Sequence, residues 1–250
     1  MEGLDAAAWQ ESWDRQQEAY LPDREERFTA MFDAVEAVAD GRPPRILDLA
    51  GGTGSISLRA LSRFPGAELT TLDVDPVLLA IARVSLDGRS TVVSADLRTP
   101  DWVGALPHRD YDAVLTATAL HWLPAERLSA LYDEVRELLR PGGVFVNADH
   151  MPDDGLPDLS ERLIARASAR REALWKAGAV LSWRDWWQHV EADPVLGPLV
   201  AVRKELFGNP AHGEWNPPVS WQLDALRAAG FVEVGILWRG TADAAVVAVR

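Results

Sequence analysis

Arg45-Ile46-Leu47-Asp48-Leu49-Ala50-Gly51-Gly52-Thr53-Gly54 decides the fold, because a short apolar strand ends there in an acid and runs into a turn dense in glycine. Glycine has no Cβ, so Gly51, Gly52 and Gly54 can take positive φ and let a bound small molecule touch main chain that a larger residue would shield. The next unit strengthens the reading. Residues 67–72 read as a second strand closed by Asp73, about 20 residues past the turn, where an acid can hold ribose hydroxyls. Strand, glycine turn, helix, strand and acid make a nucleoside-binding half.

The dinucleotide fingerprint G-x-G-x-x-G would need a third glycine or alanine at Ser57, and it leaves Asp48 without a role. A nicotinamide oxidoreductase is therefore the weaker alternative. With D-L-A-G-G-T-G at 48–54, T-L-D-V-D-P at 71–76, S-A-D-L at 94–97 and Y-D-A-V-L-T-A-T-A-L-H-W at 111–122, the chain resembles the class I S-adenosylmethionine-dependent methyltransferases over roughly residues 40–150.

The alternation around these motifs supports an α/β chain: strand 44–50, helix 54–64, strand 67–73, helix 76–86, strands 91–95 and 111–118, helix 124–139 and strand 143–149. Such alternation argues for a parallel sheet covered on both faces, with ligands at the carboxyl ends of the strands. Two helices, 6–20 and 23–40, precede the sheet, the second with Asp23 and Glu26 spaced as a capping box. Asp75 before Pro76 marks another helix start. Arg140-Pro141-Gly142-Gly143 reads as a helix stop and turn. Runs at 231–238 and 244–249 suit an antiparallel edge pair.

Residues 151–219 depart from the alternation and read as helices near 158–177, 183–191 and 194–207, with Ser182 and Asp185 as a capping box, followed by a proline-containing loop from Asn209 to Pro218. The expected organisation is an N-terminal helical cap at 1–40, a core at 41–150, a helical lid insertion at 151–219, and a final helix and strand pair at 220–250. The resemblance implies a doubly wound Rossmann-like sheet of seven strands whose last strand is antiparallel.

S-adenosyl-L-methionine is the cofactor the resemblance implies. On that reading Asp48, Ala50, Gly51, Gly52 and Gly54 lie against its methionine part, Asp73 accepts from both ribose hydroxyls, and Val74 flanks the adenine ring. Asp96 accepts from the exocyclic amine, with Leu97 supplying neighbouring backbone. Ala117 and Tyr20 complete the implied set, Tyr20 because leading helices in related enzymes fold over this site with residues such as Trp9 and Trp13. Ala50 departs from the family's usual glycine; alanine there demands ordinary φ or a small shift, and it is expected to be tolerated because Gly51 follows. Asp112 starts its strand and reads as structural.

Methyl transfer from a sulfonium is an in-line displacement whose donor is already activated, so positioning can supply most of the acceleration, on the order of 7–11 kcal/mol. An oxygen or nitrogen nucleophile still calls for a base. His121 follows the fourth strand and His150 the fifth, and an imidazole titrates near neutral pH, which makes these two the candidate catalytic residues. The competing role for His121 is to help start the next helix beside Trp122. His189 is a weaker candidate, and His108 and His212 look solvated.

Trp183, Trp186 and Trp187 share one helical face, a spacing that usually means core. One or two of the Trp residues, with Trp175, Trp215 and Trp221 nearby, are candidates for an aromatic wall, since indole faces stack and attract cations. Arg162, Arg166 and Arg170 form a basic stripe that reads as a solvated face.

A net charge of −13 argues against a nucleic-acid partner. No cysteine is present, which excludes disulfides and thiolate metal sites. No stretch approaches a membrane span, and Glu2 and Asp5 stand where a secretory signal would carry positive charge, so a cytoplasmic location is expected. No metal is called for. The function expected is methyl transfer to a small organic molecule, preferably an aromatic or heteroaromatic specialised metabolite, with O-, N- and C-methylation left open. A non-catalytic binding module is the other alternative, and an apolar helical insertion suits a homodimer.

Overall fold

The computed structural model describes residues 3–208 and 213–250. The helices are α1 (Ala6–Tyr20), α2 (Arg24–Ala39), α3 (Ser55–Arg63), α4 (Pro76–Leu86), α5 (Ala125–Leu138), α6 (Pro157–Lys176), α7 (Trp183–Ala192), α8 (Gly197–Phe207) and α9 (Val219–Ala228). The strands are β1 (Arg45–Leu49), β2 (Glu68–Asp73), β3 (Thr91–Ser94), β4 (Tyr111–Ala117), β5 (Leu139–His150), β6 (Glu233–Arg239) and β7 (Asp243–Val249). They form one sheet in the order β3-β2-β1-β4-β5-β7-β6. β1 to β5 pair in parallel, and β7 runs antiparallel to both β5 and β6. This is the doubly wound, seven-stranded α/β sheet that the resemblance implies.

The strand order reverses at β1, which has β2 on one side and β4 on the other. Such a switch point leaves a crevice at the carboxyl ends of the two strands, since the following segments depart to opposite faces. Residues 50–54 leave β1 there, and residues 118–122 leave β4 beside them.

Alternation along the strands divides the core. Leu47 and Leu49 point to the face covered by α5 and α9, with Val114, Tyr132, Phe145 and Leu226. Ile46 belongs to the opposite face, packed against Phe28, Met31, Phe32 and Val35 of α2. Asp48 therefore lies on the α2–α3 side of the sheet, fully buried. A third cluster joins Trp13 of α1, Val77, Leu78 and Ile81 of α4, Trp186 and Val190 of α7, and Val200 of α8. The insertion thus docks its last two helices on α4 and α1, while α6 buries only Ser160. No described helix is long and apolar enough to cross a membrane.

Two local expectations differ. Asp23 makes no side-chain cap bond, so the capping box with Glu26 does not form; the main chain makes the turn with the Arg24 N–H donating to the Leu21 carbonyl. Residues 140–143 are part of β5, beside a register shift between Tyr111 and Ala113. Gly143 fits there because a Cβ would meet the carbonyl oxygens of Arg140, Tyr111 and Asp112 at 2.9–3.1 Å. The caps at Asp75 and Ser182 form as expected.

Candidate active site

The turn after β1 is built from two different glycine requirements. Gly52 and Gly54 take φ of +56° and +82°. Gly51 has no such φ and is needed for space, because a Cβ on it would lie 2.6 Å from Cγ of Asp48. Ala50 corrects the sequence reading. Its φ is +54°, so the position wanted for glycine keeps its left-handed backbone and the alanine carries the strain.

Asp48 Oδ2 accepts from the Ser57 amide at 3.0 Å and its hydroxyl at 2.7 Å, while Oδ1 is buried without a partner. Burial, against the two Ser57 bonds and with Asp73 adding repulsion, pushes the Asp48 carboxyl up to about 7. Asp73 Oδ2 accepts from the Gly52 amide at 2.8 Å, and Oδ1 from the Val74 and Asp75 amides at 2.7 and 2.8 Å. Burial is again the main cause that lifts Asp73 to about 6. Asp73 thereby ties the β2 end to the glycine turn and keeps lone-pair capacity on Oδ2.

Asp96 is engaged more fully than the sequence suggests. Arg98 donates Nε to both its carboxylate oxygens at 2.9 and 2.8 Å and Nη2 to Oδ2 at 2.6 Å, and its guanidinium also donates to the Leu206 carbonyl of α8. The Leu97 carbonyl accepts from Arg127 Nε at 2.6 Å. A second arginine, Arg203 of the insertion, donates Nε to Asp75 Oδ2 at 2.5 Å and lies 3.9 Å over the Trp187 ring. Both arginines fasten α8 beside the loops that follow β2 and β3.

Ala117 ends β4, and Thr118 follows with φ +51°. A β-branched residue in that region is a genuine outlier. Its amide donates to the Ala148 carbonyl at 2.9 Å, which holds the turn that delivers His121. His121 is buried, and its Nδ1 lies 2.8 Å from Asp149 Oδ1. Burial would lower the imidazole's pKa, but the Asp149 carboxylate and its hydrogen bond, helped by Glu214, raise it above the ordinary value. Asp149 Oδ1 also accepts the His150 amide at 2.8 Å.

His150 forms a second pair, Nδ1 to Asp243 Oδ1 at 2.5 Å. The antiparallel register places Asp243 directly across from His150. Arg27 of α2, fully buried, brings Nη2 within 3.0 Å of Asp243 Oδ2 and stacks over the Trp238 ring. The two imidazole centroids are 5.9 Å apart. The structure brings together the two histidines on which sequence reading settled and adds Asp243 and Arg27, which it missed because their pairing is set by strand register and helix docking.

Most of the other sequence candidates have partners of their own. Tyr20 ends α1 against the Trp175 ring, with the Arg171 guanidinium 4.7 Å over it. Trp186 is fully buried and packs edge-on to Trp9, Trp13 and Trp187, so it is core, whereas Trp183 is 40% exposed. Trp215 and Trp221 pack together, and the Trp215 amide donates to the His121 carbonyl. Asp112 is structural, accepting from the Arg45 amide and pairing with Arg42 and Arg140. Arg162, Arg166 and Arg170 are exposed. His108 pairs with Glu68 at 2.8 Å and is half-buried rather than solvated. His189 rests on the Asp185 carbonyl at 2.7 Å. His212 lies outside the described residues.

The geometry suits a nucleoside cofactor with an amino-acid arm. An orphaned buried carboxylate oxygen on Asp48 calls for a charged donor such as an ammonium. Asp73 keeps acceptor capacity at the end of β2 beside the glycine turn, and the Asp96 carboxylate is shared with Arg98.

Comparison with known proteins agrees. Residues 46–143 match the family model of the methyltransferase domain. A trans-aconitate 2-methyltransferase from Mycobacterium marinum is 31% identical over 160 residues, covering 64% of this chain and 55% of the relative. A demethylmenaquinone methyltransferase from Thermus thermophilus is 38% identical over 124 residues, covering 48% and 53%. The chain thus spans about half the length of these curated relatives. The human N-acetylserotonin methyltransferase structure, solved with S-adenosylmethionine, is 17% identical with a TM-score of 0.54, covering 100% of this chain and 59% of that one, and shows the shared fold. Residues 46–143 are thus a methyltransferase domain, and over that stretch the chain is similar to class I S-adenosylmethionine-dependent methyltransferases.

Proposed function

We propose that the protein transfers a methyl group from S-adenosyl-L-methionine to a small organic acceptor, with an aromatic or heteroaromatic specialised metabolite as the preferred class. The cofactor set is Asp48, Ala50, Gly51, Gly52, Gly54, Asp73, Val74, Asp96, Leu97, Ala117 and Tyr20. The observation that carries the reading is the meeting of two arrangements at one sheet edge: the Gly52–Asp73 bond that shapes the cofactor turn, and the His121–Asp149 pair at the end of the neighbouring strands. When the acceptor is a hydroxyl or amine, its oxygen or nitrogen bonds to the methyl carbon. The carbon–sulfur bond breaks with its electron pair going to sulfur, and the acceptor's proton passes to an imidazole Nε2 of His121 or His150. The carboxylates on Nδ1 leave Nε2 of each ring for that task.

The names of the curated relatives favour a second reading, a polycarboxylate acceptor of the trans-aconitate kind. Such a substrate wants several unpaired cations, and the arginine nearest the dyads, Arg27, is already paired with Asp243. Methyl transfer from labelled S-adenosylmethionine to a panel of phenols, heteroaromatic amines and trans-aconitate separates the two. Labelling of ring compounds supports the first reading, labelling of trans-aconitate alone supports the second, and bound cofactor without transfer to any acceptor points to a binding module.

A further inference from the structure

We propose that Arg27 and Asp243 are positioning residues that make His150 a second proton-handling group, so that the acceptor is met by two carboxylate-held imidazoles rather than one. The inference rests on the methyl-transfer reading above and adds residues from α2 and β7 to it.

Three observations support it. First, the two pairs are built alike. In each, a carboxylate oxygen holds Nδ1, at 2.8 Å in His121–Asp149 and 2.5 Å in His150–Asp243, which fixes the neutral ring as the Nδ1–H tautomer and leaves Nε2 able to accept a proton. Second, the pairs are coupled. The Asp149 oxygen on His121 also accepts the His150 backbone amide, so the carboxylate that holds the first ring is fixed to the main chain that carries the second. Third, the second pair is anchored at depth. Arg27 is 2% exposed, yet its guanidinium makes no ion pair other than the one with Asp243 among the described residues. Desolvating an arginine is costly, and nothing in packing against Trp238 requires its charge. Burial would raise the Asp243 carboxyl, but the His150 bond and Arg27 hold it below the usual range, keeping it an anion able to orient the ring.

The charged and titratable groups around the two rings are Asp149, Asp243, Arg27 and Glu214. With centroids 5.9 Å apart, one imidazole can take the proton of the attacking group while the other hydrogen-bonds a neighbouring oxygen or nitrogen of the same acceptor. The chemical class that uses both is an acceptor with two adjacent heteroatoms, as in an ortho-dihydroxy or ortho-hydroxycarbonyl ring.

The test reads the imidazoles directly and needs no acceptor. Nitrogen-15 spectra of the full chain, at a pH where the rings are neutral, should show His150 as Nδ1–H in the wild type and in Asp243→Glu, and shifted towards Nε2–H in Asp243→Leu. Arg27→Met should broaden or split the same signal while S-adenosylhomocysteine affinity stays within about twofold, since Arg27 touches no cofactor residue. With catechol and phenol as probes, Asp243→Leu should lower kcat for catechol by at least about tenfold, a part of the effect of a positioned proton acceptor, and lower it by a smaller factor for phenol. An Nε2–H tautomer in the wild type, or a His150 signal untouched by Asp243→Leu, overturns the inference. Failure of both probes to be methylated while the tautomers behave as described would instead count against the methyl-transfer reading.

Discussion

Gly51 lies against the carboxylate of Asp48, so that a Cβ built on it would stand 2.6 Å from Cγ and 2.8 Å from each carboxyl oxygen. No real Cβ contact is that short, and Asp48 cannot yield easily because Ser57 holds its Oδ2 by two hydrogen bonds. Gly51→Ala should therefore lower stability by about 1–3 kcal/mol, as overpacking of a tight site does, and abolish cofactor binding. Denaturant unfolding and S-adenosylhomocysteine titration check both effects.

Ala50 predicts the opposite sign one residue away. Its left-handed backbone costs an alanine about 1–2 kcal/mol, whereas glycine there would add about 0.4–1 kcal/mol of unfolded-chain entropy. Ala50→Gly should leave stability unchanged or raise it by about 1 kcal/mol, with cofactor affinity retained. A clear loss in denaturant midpoint would show that the alanine methyl makes a contact that outweighs the strain.

Asp48 should give stability a pH dependence. Its folded pKa, about 7, lies above the ordinary aspartate value of about 3.9, so between these limits the folded state holds more protons than the unfolded state. Stability from this group therefore falls as pH rises from about 4 to 7, by on the order of a few kcal/mol over the window. Asp48→Asn should flatten that part of the wild-type profile and be relatively more stable at pH 8 than at pH 5. A profile that stays parallel to the wild type would contradict the buried, protonated carboxyl.

His121 should set the acidic limb of turnover if it is the base. Its raised pKa places that limb above the ordinary imidazole value, because the ring must be neutral to accept a proton. Its contribution to stability is present below about pH 6.5 and is lost as pH rises through the folded value. Asp149→Asn should move the limb to lower pH and reduce kcat by about tenfold or more, with little change in KM for the cofactor. His121→Ala and His150→Ala then assign the roles, since full turnover under saturating acceptor would remove either residue from the chemistry.

The sheet was legible because its signals are local. Apolar runs ending in acids, the Asp75-Pro76 start and the residues 50–54 turn each carry their reason in neighbouring residues, and they fall in the structure where the sequence puts them. The candidate site was legible only in part. Asp48, Asp73, His121 and His150 stand at strand ends and could be found by position. Asp243 and Arg27 could not, since one reaches His150 through antiparallel register and the other through the docking of α2. The left-handed Ala50 escaped for a related reason: family glycine signals a backbone requirement, and the requirement persists when the residue changes. The Arg98–Asp96 pairing joins residues two apart and was local, but the bond from Arg98 to the Leu206 carbonyl depends on where α8 comes to rest, which no spacing along the chain reveals.

The most direct test of the central claim is calorimetric titration with S-adenosylhomocysteine, with NAD in parallel and Asp73→Ala as the control. Asp73 holds the amides of Gly52, Val74 and Asp75, so the variant is first shown to unfold cooperatively. Binding in the micromolar range, lost in the folded variant and absent with NAD, is the predicted result. No binding of S-adenosylhomocysteine by the wild type, or equal binding by the folded variant, would contradict the account.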